Sequence, residues 1–210
     1  MSLSKKYIIP FFLFIFYSIG IIGVYLPDFK IQVVAFTPLN LLITSFLLLW
    51  GNGKYHVKFI FAVCIALFLG YFVEVLGVAS GVLFGEYKYG ETLGWKLLDV
   101  PVVMGVNWLI LSFASLGLVG RFVSNSYIKV VVASLIMVML DVIIEPVAIK
   151  LDFWSWAQVE VPIKNYLMWF ISALIINSLI ELLVKELHFQ TSLFVFLAQI
   201  YFFAFLNIIF

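Results

Sequence analysis

Long apolar stretches, each close to a bilayer-spanning length, recur along the chain between short polar interruptions. They cover residues 7–26, 31–50, 57–78, 101–119, 127–149, 165–184 and 192–210. About 20 helical residues cross a hydrocarbon core of roughly 30 Å. The pattern therefore predicts an all-α, polytopic membrane bundle of about seven transmembrane helices, with residues 1–210 as a single integral membrane domain. The second stretch carries Pro38, and the last runs to the end of the chain. Two longer interruptions, residues 79–100 and 150–164, are rich in Gly, Trp and Tyr. Non-helical backbone near a membrane is tolerated where protein buries it or it lines a cavity. Both segments are expected to form a lid or vestibule over one end of the bundle.

Composition agrees with lipid as the main solvent. Hydrophobic residues make up 65% of the chain and charged residues 11%, and the mean hydropathy is +1.20. A soluble domain is about 45–50% apolar and about 25% charged. The net charge of +1 lacks the clustered basic residues that nucleic acid requires. Cys64 stands alone and cannot close an intrachain disulfide. Lys5 and Lys6 precede a long apolar run without a small-residue cleavage site, so the first span is expected to stay attached. Basic loop residues set orientation. Lys5, Lys6, Lys54, Lys58, Arg121, Lys129 and Lys185 fall on one side, against Lys30, Lys88, Lys96, Lys150 and Lys164 on the other. This bias predicts a multi-pass protein of the bacterial cytoplasmic membrane with its N-terminus inside. The acidic loop residues Asp28, Glu86, Glu91, Asp99, Asp152 and Glu160 gather on the second side, with the two long loops.

Besides Glu181 near the end of the sixth stretch, three carboxylates lie inside the apolar stretches: Glu74, Asp141 and Glu145. An acid at a helix centre costs about 2.5–3.5 kcal/mol on an insertion scale, and such residues mark functional sites by default. Glu74 is about 17 residues into its span, roughly 25 Å along. Asp141 and Glu145 are about 14 and 18 residues into theirs, roughly 20–27 Å along. Both helices run outward, so the three acids converge on one half of the membrane beneath the long loops. Asp141 and Glu145, four apart, share one helix face. Pro146 follows, and is expected to bend or end the helix and to free the carbonyl of Val142. Two like charges this close in an apolar wall resist double ionisation. A carboxyl that keeps its proton suits a general acid, with its neighbour as base. The structural alternative is that the acids pair with loop lysines or cap helices.

Asn107 and Asn165 sit near the outer ends of their spans, where each could orient a water or a carboxyl or simply join two helices. Trp108, Trp154, Trp156 and Trp169 fall at the same level, as an interface belt or as an aromatic pocket whose ring faces stabilise a cation. Glu181 lies beside Lys185 at helical spacing, a local ion pair. His56 and His188 are the only histidines, too few for a di-iron oxygenase, so no metal site is expected. No glycine-rich nucleotide loop is present, and the last span has no lysine for a retinal Schiff base. The expected chemistry is cofactor-free and runs on acids, water and aromatic surface.

Several motifs occur in a fixed order. Glu74 to Gly77 is followed by Gly81, then Phe84-Gly85-Glu86-Tyr87-Lys88-Tyr89, Leu93-Gly94, Val100-Pro101 and Asn107-Trp108. The second block is Asp141-Val142-Ile143-Ile144-Glu145-Pro146-Val147-Ala148, then Trp154-Ser155-Trp156, Val161-Pro162, Asn165 and Trp169. Over residues 74–169 this resembles the carotenoid 1′,2′-hydratases of the CruF type, a carotenoid biosynthesis membrane family. The chain departs from that pattern at Leu83, where a proline often precedes Phe-Gly. It departs again at Asp99, where a glycine commonly precedes Val-Pro, and between Trp156 and Pro162, which lacks a Tyr-Tyr-Gly. The resemblance implies addition of water across the terminal double bond of an acyclic carotenoid end, giving a tertiary alcohol. It implies Asp141, Glu145 and Glu74 as catalytic residues. Asn107, Trp108, Asn165, Trp154, Trp156, Trp169, Tyr87, Tyr89 and Phe84 would line the substrate, and the partners would be a lipophilic carotenoid, water and the bilayer.

The residues suit such chemistry independently. Protonating a trisubstituted alkene gives a tertiary cation, which aromatic faces stabilise, and a carboxylate can place the attacking water. A cyclase is the close rival, since the same cation closes a ring when water is kept out. A proton-coupled transporter would string its acids across the bilayer, whereas these gather on one side. A non-catalytic scaffold leaves the buried acids unexplained.

Overall fold

Apolar stretches become helix because lipid offers no partner to a bare backbone amide, and a helix satisfies its amides internally. The computed structural model describes residues 3–53, 55–158 and 160–210. Lys54, counted above among the basic loop positions, lies outside them. The helices are α1 (Leu3–Tyr25), α2 (Pro27–Ala35), α3 (Thr37–Asn52), α4 (Val57–Ser80), α5 (Val103–Val119), α6 (Ser126–Lys150), α7 (Ile163–Leu183) and α8 (Phe189–Ile209). Between α4 and α5 lie β1 (Tyr87–Tyr89), β2 (Lys96–Leu97) and β3 (Val100–Pro101), and β4 (Trp154–Trp156) lies between α6 and α7.

The molecule is a multi-pass membrane protein with an all-α polytopic bundle. Helices α1, α4, α6, α7 and α8 are long and apolar enough to cross a membrane, and α2–α3 passes the same test as a bent pair. Helix α5, with 17 residues, is a shorter apolar helix. It sits at the centre, against α3, α4, α6, α7 and α8, and is buried nearly throughout. A helix that is apolar all round belongs in such a core.

The expected second span differs. It starts earlier, at Pro27, and breaks at Phe36 with a bend of 53°. Pro38 has no N–H to offer the carbonyl of Val34, and the Thr37 hydroxyl takes that carbonyl instead at 2.7 Å. Two further expectations are corrected. Pro146 does not end its helix, since α6 continues to Lys150. Lys129 is not a loop charge but a buried residue of α6. Its Nζ donates to both carboxylate oxygens of Glu181, at 2.8 and 2.9 Å. Glu181 is therefore held chiefly across two helices, with Lys185 farther away at 3.7 Å.

The two long loops fold into small antiparallel ladders. Strand β1 pairs with β4 in the register Tyr87↔Trp156, Lys88↔Ser155 and Tyr89↔Trp154. Strand β2 pairs with β3 through a two-residue turn in which Leu98 and Asp99 both have positive φ, 51° and 62°. That is the left-handed geometry of a tight hairpin turn. It explains why the resembling family can place glycine where this chain has Asp99.

Candidate active site

Helix α4 turns a stripe of small residues toward α5. Ala62, Ala66, Gly70 and Gly77 are buried on it, with Glu74 among them. A side chain at Gly70 would collide with Trp108. The missing Cβ lets the Trp108 indole lie against α4, and its Nε1 donates to Glu74 Oε1 at 2.9 Å, one turn further on. Glu74 Oε2 accepts from the hydroxyls of Tyr87 and Tyr89, each at 2.7 Å. Three donors from α5 and the lid thus converge on one carboxyl.

The lid supplies these donors through strand geometry. Side chains alternate across a strand, so Tyr87 and Tyr89 face the bundle while Lys88 between them does not. The register sets Trp156 beside Tyr87 and Trp154 beside Tyr89, with ring centroids 5.1 and 6.2 Å apart. Burial and the neighbouring Glu74 push both phenols above the ordinary tyrosine range, so both remain protonated donors.

Glu145 is held by the other strand. Its Oε2 accepts from the indole N–H of Trp154 at 3.0 Å and of Trp156 at 3.1 Å. Asn165, on the first turn of α7, donates from Nδ2 to Glu145 Oε1 at 3.3 Å and to Asp141 Oδ2 at 3.1 Å. One amide thereby bridges the two acids of α6. Glu74, Asp141, Glu145 and Asn165 are all buried, with at most 3% of their surface exposed. None of the three acids pairs with a lysine or arginine among the described residues.

A cavity of about 10 Å³ lies between these groups, lined by Glu74, Glu145, Asn165, Met104, Phe84, Tyr87, Tyr89, Trp154, Trp156 and Trp169. That is about the room one water molecule needs. Trp169 stacks on Trp108 at 4.5 Å between centroids and 18° between planes, forming its floor. Phe84 packs edge-on against Tyr87.

The structure brings together every residue singled out from the sequence except one. Asn107, half-buried on α5, makes no hydrogen bond to the three acids. Asp141 sits beside the cavity without lining it, tied in through Asn165. Two features were not read from the sequence. Met104 lines the cavity, and its position one turn before Trp108 on α5 was the available signal. The tryptophan and tyrosine polar atoms serve as carboxyl donors, beyond the ring-face role expected of them. No cluster of metal-binding side chains occurs among the described residues.

Comparison with known proteins places the fold and site in context. The chain is 29% identical over 110 residues to a bisanhydrobacterioruberin hydratase of Haloarcula japonica. The match covers 49% of this chain and 38% of that protein, so the chain corresponds to well under half the length of the relative. No solved structure matches the chain. The sequence profile of the carotenoid biosynthesis protein family matches residues 35–210. The chain belongs to that family.

Proposed function

From this membership we propose that the protein is a carotenoid hydratase, adding water to the terminal double bond of an acyclic carotenoid end by acid–base catalysis without a cofactor. The observation that carries the reading is a water-sized cavity set between two buried carboxyls, Glu74 and Glu145, under an aromatic lid. The relative's name, a hydratase acting on bisanhydrobacterioruberin, supports the same reaction class.

In this mechanism a carbon–hydrogen bond forms first. Glu145, lining the cavity and bridged to Asp141 by Asn165, gives its proton to the less substituted alkene carbon. The positive charge develops on the tertiary carbon, against the faces of Trp156, Tyr87 and Trp169. Glu74, held by three donors and by no cation among the described residues, serves as acceptor. It orients the water, takes a proton as the carbon–oxygen bond forms, and returns that proton across the cavity both acids line. Alkene and water are consumed, one tertiary alcohol is released, and the enzyme is restored. The cavity admits one water but no alkene end, so substrate entry displaces the lid strands. We further place the protein in the bacterial cytoplasmic membrane with its N-terminus inside, the site lying toward the opposite face.

The test is expression with an acyclic carotenoid and mass analysis of the pigment. The expected product is heavier by one water. Glu145→Gln and Glu74→Gln, which remove the proton donor and the acceptor, should each lower its formation by at least about 100-fold, in the range ascribed to a general acid or base, with unchanged amounts of folded protein in the membrane. Product of unchanged mass would indicate the cyclase instead, and full activity in both variants would overturn the assignment.

A further inference from the structure

The bend between α2 and α3 opens a second cavity, separate from the carboxyls. It has a volume of about 250 Å³ and lies between α1, the α2–α3 bend and α8. Its wall is apolar, with Phe16, Val33, Ile43, Leu151 and Phe202 among the lining residues. Phe36 and Leu39 at its edge are exposed on the helix surface, so the slot opens sideways toward lipid. Two polar side chains line it. The Thr37 hydroxyl is already committed to the carbonyl of Val34. The other is Asn40, whose Oδ1 is buried without a hydrogen-bond partner.

A buried polar atom is normally paired, and each exception calls for an explanation. Asn40 lies five residues beyond Ala35, the end of α2, in a slot walled by apolar side chains and open toward lipid. Lipid hydrocarbon has nothing to offer it there. The complementary ligand is an apolar chain carrying one hydroxyl. A hydroxyl both donates and accepts, so it satisfies the amide in either orientation. The slot adjoins, through shared Val34 and Leu151, a wider cavity of about 410 Å³ bordered by Thr92 and Asp152. Those two residues continue the lid strands that cover the carboxyls: Thr92 Oγ1 donates to Leu151 O at 3.1 Å, and Asp152 Oδ2 accepts from Glu91 N at 3.3 Å.

We propose that the slot at the α2–α3 bend is a binding site for a hydroxylated polyisoprenoid, with the tertiary alcohol of the hydrated end bonded to Asn40. This rests on the hydratase reading for the identity of the alcohol. It makes the protein a retainer of its own product, separate from the site of chemistry.

The experiment uses purified full-length protein carrying Glu145→Gln, which prevents conversion during the measurement. It is equilibrated with a coloured polyene bearing a terminal tertiary alcohol and, separately, with the parent hydrocarbon, and bound pigment per protein is read by absorbance after gel filtration. The alcohol should be retained about fivefold better, the worth of one net hydrogen bond. Adding Asn40→Leu should bring the two pigments to parity. Ile43→Trp, which fills the slot and keeps Asn40 in the sequence, should lower retention of both. Equal retention of the two pigments, a preference unchanged by Asn40→Leu, or retention unaffected by Ile43→Trp would each overturn the proposal. Hydration is assayed separately in the otherwise native protein. Loss of the reaction with the preference intact would overturn the hydratase reading and leave the slot standing.

Discussion

At the residue scale, the carboxyls are held by neutral donors. Glu74 receives two phenols and an indole, Glu145 two indoles and an amide, and no lysine or arginine among the described residues reaches either. A buried acid ringed this way is fixed in place with no opposing charge beside it, so Glu145 can hold its proton until the alkene arrives and Glu74 can face the cation as a carboxylate. Tyr87 and Tyr89 share one oxygen of Glu74, so they should be coupled. Tyr87→Phe or Tyr89→Phe should each cost about 1 kcal/mol, the net worth of one hydrogen bond. The double variant strips Oε2 of both donors and leaves it buried and unsatisfied, so it should cost more than the sum. Thermal unfolding in detergent measures all three, and strict additivity would show that the two phenols act independently.

The element scale shows how those donors reach their acceptors. Helix α4 offers small residues at helical spacing, so α5 approaches closely enough for Trp108 to reach Glu74. Gly70→Ala places a methyl group on Trp108. The indole should then leave Glu74 and lose its stack on Trp169. We expect at least a tenfold loss of hydration with a shifted tryptophan emission spectrum, and unchanged emission would show that α4 and α5 separate instead. The lid obeys strand alternation. Lys88→Ser, on the outward face of β1, should leave hydration within about twofold, because surface substitutions away from special features change little. Trp156→Ala removes one donor to Glu145 and one wall of the cavity and should lower hydration at least tenfold in the same mass assay.

At the scale of the whole molecule, α6 and α7 carry polar groups at both ends. The site occupies one end, and Lys129 with Glu181 occupies the other, both at most 5% exposed. Ser126 and the carbonyl of Lys185 complete that cluster. Removing one partner of a buried pair strands the other charge and typically costs about 3–5 kcal/mol. Lys129→Met should therefore lower the unfolding temperature in detergent markedly. Hydration per folded molecule should stay unchanged, because the cluster makes no contact with the acids.

Much of this was legible in the chain. Apolar length alone determined a helical membrane bundle, because lipid leaves the backbone few other solutions. Counting residues along two helices that both run toward the lid brought Glu74, Asp141 and Glu145 to one level, because a helix converts sequence separation into distance at a fixed rise. Other features depended on contacts between distant segments, which periodicity does not encode. The partner of Glu181 was read as Lys185, four residues away, and proved to be Lys129, 52 residues away. The pairing of Tyr87 with Trp156 joins two loops, and only their register decides that both face Glu74 and Glu145. Pro38 marked a weak span but gave no bend angle, and the lateral slot with its unpaired Asn40 follows from that angle. The sequence by itself determined that the apolar stretches are helices and how far along them each acid lies. The tertiary structure decided which of them meet, because meeting is fixed by the packing of whole helices and strands against one another.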